Sequence, residues 1–296
     1  MRRIVTIVAL VAAAVTTTLA GAAPALASSS KPSGSQFAPR YYLSLGDSLS
    51  QGVQPNAAGM SVETNQGYAD QLYAALRLAN PRLRLVKLGC PGETTETMIA
   101  GGICTYPQGS QLAAAVSFLK AHPGGVSLIT IDIGANDLNQ CIAGPAADLE
   151  QCIEGVLPVI VANLTKIMAT LRTAGGSNVR IIGMTYYVPE LAAWLTGPPG
   201  QASARASEQL AVTFNGLLSE VYQTFGARIA DVFSAFHSSD FTHQVTLPVI
   251  GTVPLNVALI CQWTWECAPP PRGPNEHANV IGYRVIALTF LLADLR

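Results

Sequence analysis

The chain has 296 residues, of which 49% are apolar and only 12% are charged, and its formal net charge is −1. This length is sufficient for one large domain with a sizeable buried core. The near-neutral charge excludes the basic surface that nucleic acids require, so no nucleic-acid partner is expected.

The first part of the chain has the features of an export signal. A basic start precedes an apolar run at 4–20, and the sequence Ala-Leu-Ala at 25–27 has the small-x-small pattern of a cleavage site. An uncleaved membrane anchor is the alternative, but the apolar run is short for a membrane span. We therefore predict a signal peptide at 1–27, a flexible segment at 28–39 and a single secreted domain at 40–296.

Within that domain, apolar β-branched runs alternate with longer helical patterns. The runs predict strands at 41–45, 83–88, 126–133, 179–185 and 228–232. The helical patterns predict helices at 68–78, 111–120, 153–171, 203–225 and 280–292. This alternation implies parallel strands with helices on both faces of a sheet. The predicted fold is therefore α/β, a three-layer α/β/α sandwich with a central, mostly parallel sheet of five strands.

One segment, 237–274, departs from the alternation because it is long, apolar and rich in proline. Long loops without regular structure are usually functional or disordered, and this one is too apolar for disorder. A lid or the wall of an apolar pocket is one interpretation, and a packed loop that covers the core is the other. Trp263 and Trp265 either line an acyl pocket or pack this loop.

The cysteines favour disulfide bonds. There are six of them: Cys90, Cys104, Cys141, Cys152, Cys261 and Cys267. An even number behind a predicted signal peptide is typical of a disulfide framework. Neighbouring cysteines would close short loops outside the predicted strands, so we expect the pairs 90–104, 141–152 and 261–267. Zinc is disfavoured because neither C-x-x-C nor H-E-x-x-H spacing occurs, and no metal is expected.

Polar motifs follow the first three predicted strands. They are Gly-Asp-Ser-Leu-Ser at 46–50, Gly-Cys-Pro-Gly-Glu-Thr at 89–94 and Gly-Ala-Asn-Asp at 134–137. Ligands of open α/β sheets bind beyond the carboxyl ends of the strands, so the three motifs should converge. A serine nucleophile needs a base. Of the four histidines, His277 has the most suggestive position, just before the last predicted helix.

These motifs, in this order and across essentially all of 40–296, resemble the SGNH (GDSL) hydrolase superfamily. The cysteine-rich form behind a signal peptide is most similar to its actinobacterial lipases and esterases. The resemblance implies Ser48 as nucleophile and His277 as general base. It also implies an oxyanion hole made by the Ser48 and Gly92 backbone N–H groups and the Asn136 side chain, donors fixed where negative charge develops. No G-x-S-x-G elbow is present, which disfavours an ordinary α/β-hydrolase.

The sequence departs from the family beside the histidine. Many members carry an aspartate three residues before it, where this chain has Pro274. That aspartate would accept the Nδ1–H hydrogen bond and fix the tautomer of the ring. A main-chain carbonyl can do the same, so we expect the Pro274 carbonyl to orient His277. Glu276 is the alternative orienting group.

The function predicted from these residues is a secreted serine ester hydrolase, a lipase or esterase that includes the phospholipase A type among its candidates. It would act on lipid or other acyl esters without a cofactor and would contact lipid surfaces transiently. A carbohydrate acetyl esterase is one alternative, although the apolar segment 237–274 argues against it. A catalytically inactive cell-surface binding protein of the same fold is another, and only the missing aspartate supports it.

Overall fold

A parallel sheet forms the centre of the fold. This computed structural model describes residues 40–142 and 149–295, so the predicted signal peptide at 1–27 and flexible segment at 28–39 lie outside the described residues. The sheet has five strands: β1 (Arg40–Gly46), β4 (Leu83–Lys87), β5 (Val126–Asp132), β6 (Arg180–Met184) and β7 (Arg228–Ala230).

The order of the strands explains where a site can form. The order is β4-β1-β5-β6-β7, and every neighbouring pair is parallel. Leu43 of β1 pairs with Val86 on one side and with Ile129 on the other. Successive strands are therefore added on one side of β1 and then on the other, which makes β1 a topological switch point. Ligands of doubly wound sheets bind at such a point, beyond the carboxyl ends of the strands.

Helices cover both faces of the sheet. The five long ones match the predicted helices, with extended ends: α2 (Tyr68–Ala79), α4 (Gln111–Ala121), α6 (Leu149–Gly175), α7 (Pro198–Thr224) and α10 (Val280–Leu295). Helix α10 packs against α2, whereas α6 packs against α4 and α7. The predicted three-layer sandwich is confirmed.

Short elements begin where the strands end. They are α1 (Ser48–Gln51), the strand pair β2 (Gln54–Pro55) and β3 (Ser61–Val62), α3 (Thr95–Ala100), α5 (Ala135–Ile142), a 3₁₀ helix at Pro189–Thr196 and α8 (Val232–Ala235). Helices α1 and α5 start within polar motifs, and α3 starts directly after one, with Thr94 as its N-cap. The motifs are therefore turns from a strand into a helix, at the same edge of the sheet.

The prediction of a long irregular loop at 237–274 is wrong. The segment contains an antiparallel hairpin, β8 (Gln244–Leu247) with β9 (Gly251–Pro254), followed by α9 (Leu255–Trp263). Helix α9 is apolar on every side and is largely buried, so its sequence lacks the amphipathic period of a surface helix. Helix α9 packs on the core, as the second interpretation had it, whereas the hairpin turn at 248–250 is exposed.

Three disulfide bonds join neighbouring cysteines along the chain: Cys90–Cys104, Cys141–Cys152 and Cys261–Cys267. These are the pairs expected from the sequence. The last of them closes a short loop at the end of α9, on the path that leads to His277. A cross-link of this kind restricts the unfolded chain more than the folded one.

Candidate active site

Ser48 is the first residue of α1, directly after β1. The turn requires glycine at position 46, where φ is +132° and an added Cβ would lie 2.2 Å from the Asp132 carbonyl oxygen. Asp47 then caps the helix, since its Oδ1 accepts a hydrogen bond from the Leu49 N–H at 2.9 Å. The local sequence thus fixes the backbone on both sides of Ser48.

The Ser48 hydroxyl meets the imidazole of His277, with 2.9 Å between Oγ and Nε2. On the other side of the ring, Nδ1 lies 2.8 Å from Oδ1 of Asn275. An amide oxygen only accepts, so Nδ1 carries the proton and Nε2 is free to accept from Ser48. His277 is only 8% exposed, and this burial lowers its pKa to about 4. The ring is therefore neutral near pH 7, as a general base must be.

The expected orienting group is corrected by this geometry. The Asn275 side chain, and not the Pro274 main-chain carbonyl, accepts the Nδ1–H hydrogen bond. The same Oδ1 also accepts from the His277 N–H at 3.1 Å, the local turn that asparagine side chains favour. The His277 N–H can only donate, so its bond to Oδ1 fixes which end of the amide faces the ring, and Asn275 Nδ2 donates to Ser61 Oγ at 3.1 Å.

Glu276 is not the orienting group either. Its carbonyl accepts a hydrogen bond from the Tyr187 hydroxyl at 2.8 Å, and the residue lines the cavity described below. The signal that could have identified Asn275 was a short amide two residues before the histidine. Its partner Ser61 is 214 residues away, which no local pattern reveals.

The loop before His277 is held by main-chain and side-chain bonds. The Trp265 N–H donates to the His277 carbonyl at 3.0 Å, and Trp265 Nε1 donates to Gln54 Oε1 at 3.3 Å. Trp263 packs edge-on against Phe236, with 5.1 Å between ring centroids. Among the described residues that line the cavity, neither tryptophan appears. The two side chains therefore pack the loop.

Of the expected oxyanion-hole donors, Ser48 and Asn136 line the cavity and Gly92 does not. Asn136 is the second residue of α5, and its Nδ2 donates to the Glu93 carbonyl at 3.0 Å; the described residues offer no acceptor to its second amide hydrogen. The Ser48 N–H has no hydrogen-bond partner in the described part of the chain. Gly92 adopts φ +82° beside Glu93 but is absent from the described residues that line the cavity. The structure thus brings Ser48, Asn136 and His277 to one wall and Gly92 next to it.

A buried glutamine, missed by the sequence analysis, joins two of the motifs. Gln111 Oε1 accepts from the Gly46 N–H at 2.7 Å, while its Nε2 donates to the Gly46 carbonyl and to Glu93 Oε2, both at 2.9 Å. Asp137 joins the third motif to the second by accepting from the Thr95 N–H and hydroxyl at 2.9 and 2.6 Å. Side chains thus lock the three turns into one unit.

A pair of buried carboxyl groups lies beneath the nucleophile. Asp47 is 2% exposed and Asp132 is fully buried, and the Asp47 N–H donates to Asp132 Oδ2 at 3.3 Å. The Tyr186 hydroxyl donates to Asp47 Oδ2 at 2.8 Å, and Tyr68 donates to Asp132 Oδ1. Burial raises the pKa of both carboxyl groups, and the neighbouring Asp47 charge raises that of Asp132 further. The raised pKa values favour a proton on this pair of carboxyl groups in the folded protein.

A cavity of about 760 Å³ opens beside Ser48 and His277 and extends between α6 and α7. Its apolar wall comes mainly from these two helices: Leu149, Ile153, Leu157, Leu210, Ala211 and Phe214, with Leu138 and Val188. Its carboxylates are Asp47, Glu150, Glu154, Glu190 and Glu276. No lysine or arginine of the described residues lines it. The site therefore combines a nucleophile–base pair with an apolar, negatively charged pocket.

A family model for GDSL-like lipases and acylhydrolases matches residues 44–248. The chain belongs to the GDSL-like lipase/acylhydrolase family. The resemblance noted in the sequence is thereby confirmed, and membership places the chain among ester hydrolases. The match includes Ser48, Gly92 and Asn136 but ends before His277, so only the geometry brings that histidine into the site. A search of curated proteins finds no match.

Solved structures share the fold of this GDSL-family chain at low sequence identity. The lipase Lip_vut3 from a goat rumen metagenome has a TM-score of 0.55 and 15% identity, over 86% of this chain and 97% of its own. An extracellular lipase of Streptomyces rimosus gives 0.53 and 16%, over 86% and 99%. The acetylxylan esterase Axe2 of Geobacillus stearothermophilus gives 0.52 and 17%, over 86% and 94%. These likenesses support the fold alone.

Proposed function

We propose that the protein is a secreted serine hydrolase that cleaves esters with extended acyl chains. The observation that carries this proposal is the Ser48 Oγ–His277 Nε2 contact of 2.9 Å at the wall of a 760 Å³ apolar cavity. Sites for small organic ligands commonly have about 300–1,000 Å³. The three disulfide bonds support secretion, since disulfides persist in oxidising surroundings.

In the proposed reaction, His277 Nε2 takes the hydroxyl proton as Ser48 Oγ attacks the ester carbonyl. The carbonyl oxygen becomes an oxyanion, which the Ser48 N–H, the Gly92 N–H and Asn136 Nδ2 stabilise. The intermediate collapses to an acyl-Ser48 ester, and the alcohol leaves with the proton from His277. Water then attacks the acyl group while His277 takes its proton, and a carboxylic acid is released.

The charge of the cavity bears on which esters it accepts. Glu150 and Glu154 lie on α6, Glu190 lies in the 3₁₀ helix, and Glu276 directly precedes His277. Burial and the nearby Glu276 raise the pKa of Glu190. Carboxylates without a lining cation disfavour anionic substrates and repel the carboxylate product once it ionises. Neutral or cationic esters therefore fit this cavity best.

The test is an assay of p-nitrophenyl esters from acetyl to palmitoyl, with Ser48→Ala as the matched variant. We expect the rate to rise with acyl length and to fall at least about a thousandfold in the variant. Fluorophosphonate labelling, read by mass spectrometry, should modify the protein once and leave Ser48→Ala unmodified. Activity on acetyl esters alone would favour a carbohydrate esterase. Folded protein without activity or labelling would favour an inactive binding protein.

A further inference from the structure

The tip of the β8–β9 hairpin presents three consecutive apolar residues to solvent: Pro248, Val249 and Ile250. Val249 is 107% exposed, the highest value for any large apolar residue in the described part of the chain. Single exposed apolar residues are common on protein surfaces. Three exposed apolar residues in succession are not accounted for in this way, since Val249 is fully exposed and Ile250 is 37% exposed.

The backbone conformation of the tip does not favour a valine at position 249 either. Val249 has a φ of +71°, and the Ile250 N–H donates to the Pro248 carbonyl at 2.9 Å. This is a three-residue γ-turn of the rare, strained form with positive φ. A β-branched residue is a genuine outlier in that region, where glycine or asparagine is usual. Position 249 thus carries a valine although its turn favours glycine or asparagine.

The rest of the hairpin suits an apolar environment. Residues 244–265 contain no charged side chain and no histidine. The strands are paired from Gln244 with Pro254 to Leu247 with Gly251, so their facing backbone groups bond to each other. Entry of the tip into an apolar phase would therefore neither desolvate a charge nor break this ladder.

We propose that the hairpin tip, Pro248–Ile250, inserts into the surface of a zwitterionic lipid membrane or aggregate. A second protein copy is the other candidate occupant, but a stable interface needs about 800 Å² per partner, far more than three side chains at a convex tip provide. A lipid interface can take up a few apolar side chains in weak, reversible binding, which needs no extended complementary surface. The absence of charge in the hairpin indicates that anionic lipid is not required.

The hairpin base is connected to the elements that form the cavity. Phe241 contacts Trp194, with 5.3 Å between ring centroids, and Arg205 lies 4.5 Å above the Phe241 ring. Trp194 belongs to the 3₁₀ helix whose first two residues line the cavity, and Arg205 belongs to α7. A strand of four residues spans about 13 Å, so a lipid-bound tip would hold these elements near the surface. The interaction itself does not depend on catalysis.

The experiment uses the full chain with Ser48→Ala, so that lipid is not consumed. Val249→Cys is labelled with an environment-sensitive fluorophore, because the native cysteines form disulfides. On addition of phosphatidylcholine vesicles, we expect a brighter, blue-shifted emission that lipid-borne quenchers suppress. The matched control is Leu78→Cys, at an apolar residue on α2 that is 88% exposed. A silent label at 249, or an equal response at 78, overturns the proposal.

Vesicle affinity provides a second readout. We expect Val249→Asp to weaken binding about 10- to 100-fold and Leu78→Asp to change it less than about twofold. Val249→Gly should also weaken binding and should raise Tm, because glycine adopts the positive φ without strain. A lower Tm with unchanged binding would mean that Val249 stabilises the fold and does not bind lipid.

Sedimentation tests the other candidate occupant, a second protein copy. A dimer that Val249→Asp dissociates would make the tip a self-association contact and overturn the lipid proposal.

Discussion

At the residue scale, the arrangement around His277 uses a neutral orienting group. A carboxylate at Nδ1 would stabilise the imidazolium form of the ring, and the Asn275 amide does so much less. Burial therefore lowers the pKa of His277, and no carboxylate at Nδ1 opposes this shift. The consequence is a base that stays unprotonated in fairly acidic solution.

The pH profile tests this account directly. His277 must be neutral to accept the Ser48 proton, and its pKa is about 4, so kcat/KM should stay level above about pH 5 and fall as the pH drops through 4. Asn275→Asp places a carboxylate beside the ring and should move the fall upward by about one pH unit or more. Asn275→Ala should lower kcat about 10- to 100-fold. A midpoint near the ordinary histidine value in the unsubstituted protein would contradict the account.

Sequence reasoning predicted Ser48 and His277, which the structure places in contact, but it did not predict Asn275 as the partner of His277 Nδ1. The first two residues lie in motifs whose order alone indicates chemistry. The Asn275 amide donates to Ser61, and Gln111 bonds to both the N–H and the carbonyl of Gly46 in the first motif. Both contacts join parts of the chain that are distant in sequence, so they arise only from tertiary packing.

At the scale of elements, the strands and long helices were predictable because buried parallel strands read as continuous apolar runs. The pocket was not predictable, because it lies between the apolar sides of α6 and α7, which look like ordinary core-facing sides. The apolar segment at 237–274 suggested an acyl wall, yet none of its residues is among the described residues that line the cavity. Hydrophobicity alone does not show which residues of a segment are covered or what covers them.

The α6–α7 origin of the pocket makes a prediction about acyl length. Leu210→Trp should fill part of the cavity, so activity on long p-nitrophenyl esters should fall about tenfold or more while acetyl ester hydrolysis stays within about twofold. Val212→Trp is the matched control, because Val212 lies on the same helix and is 49% exposed. Equal losses for all acyl lengths, or the same selective loss in the control, would place the acyl site elsewhere.

At the scale of the whole molecule, ionisable groups buried on folding couple stability to pH. Asp47 and Asp132 have raised pKa values, so the folded protein keeps a proton that the unfolded chain releases above about pH 4. Their contribution to stability is thus present at low pH and is lost as the pH rises through the folded pKa. His277, with its lowered pKa, acts in the opposite direction and loses its contribution as the pH falls from 6.5 toward 4.

Asp132→Asn separates the two effects, because the amide donates a hydrogen bond to Asp47 without needing a bound proton, while His277 is unchanged. The difference in unfolding free energy between variant and unsubstituted protein should therefore rise with pH by about 1.4 kcal/mol per pH unit above pH 4, until the shared proton is lost. Urea unfolding at a series of pH values measures it. The activity of Asp132→Asn near pH 7 should stay within about threefold, because the Asp47 cap on α1 persists. Asp132→Ala should lose this activity. If the difference in unfolding free energy did not vary with pH, the two carboxyl groups would share no proton. Asp47 would then cap α1 as an ordinary charged carboxylate.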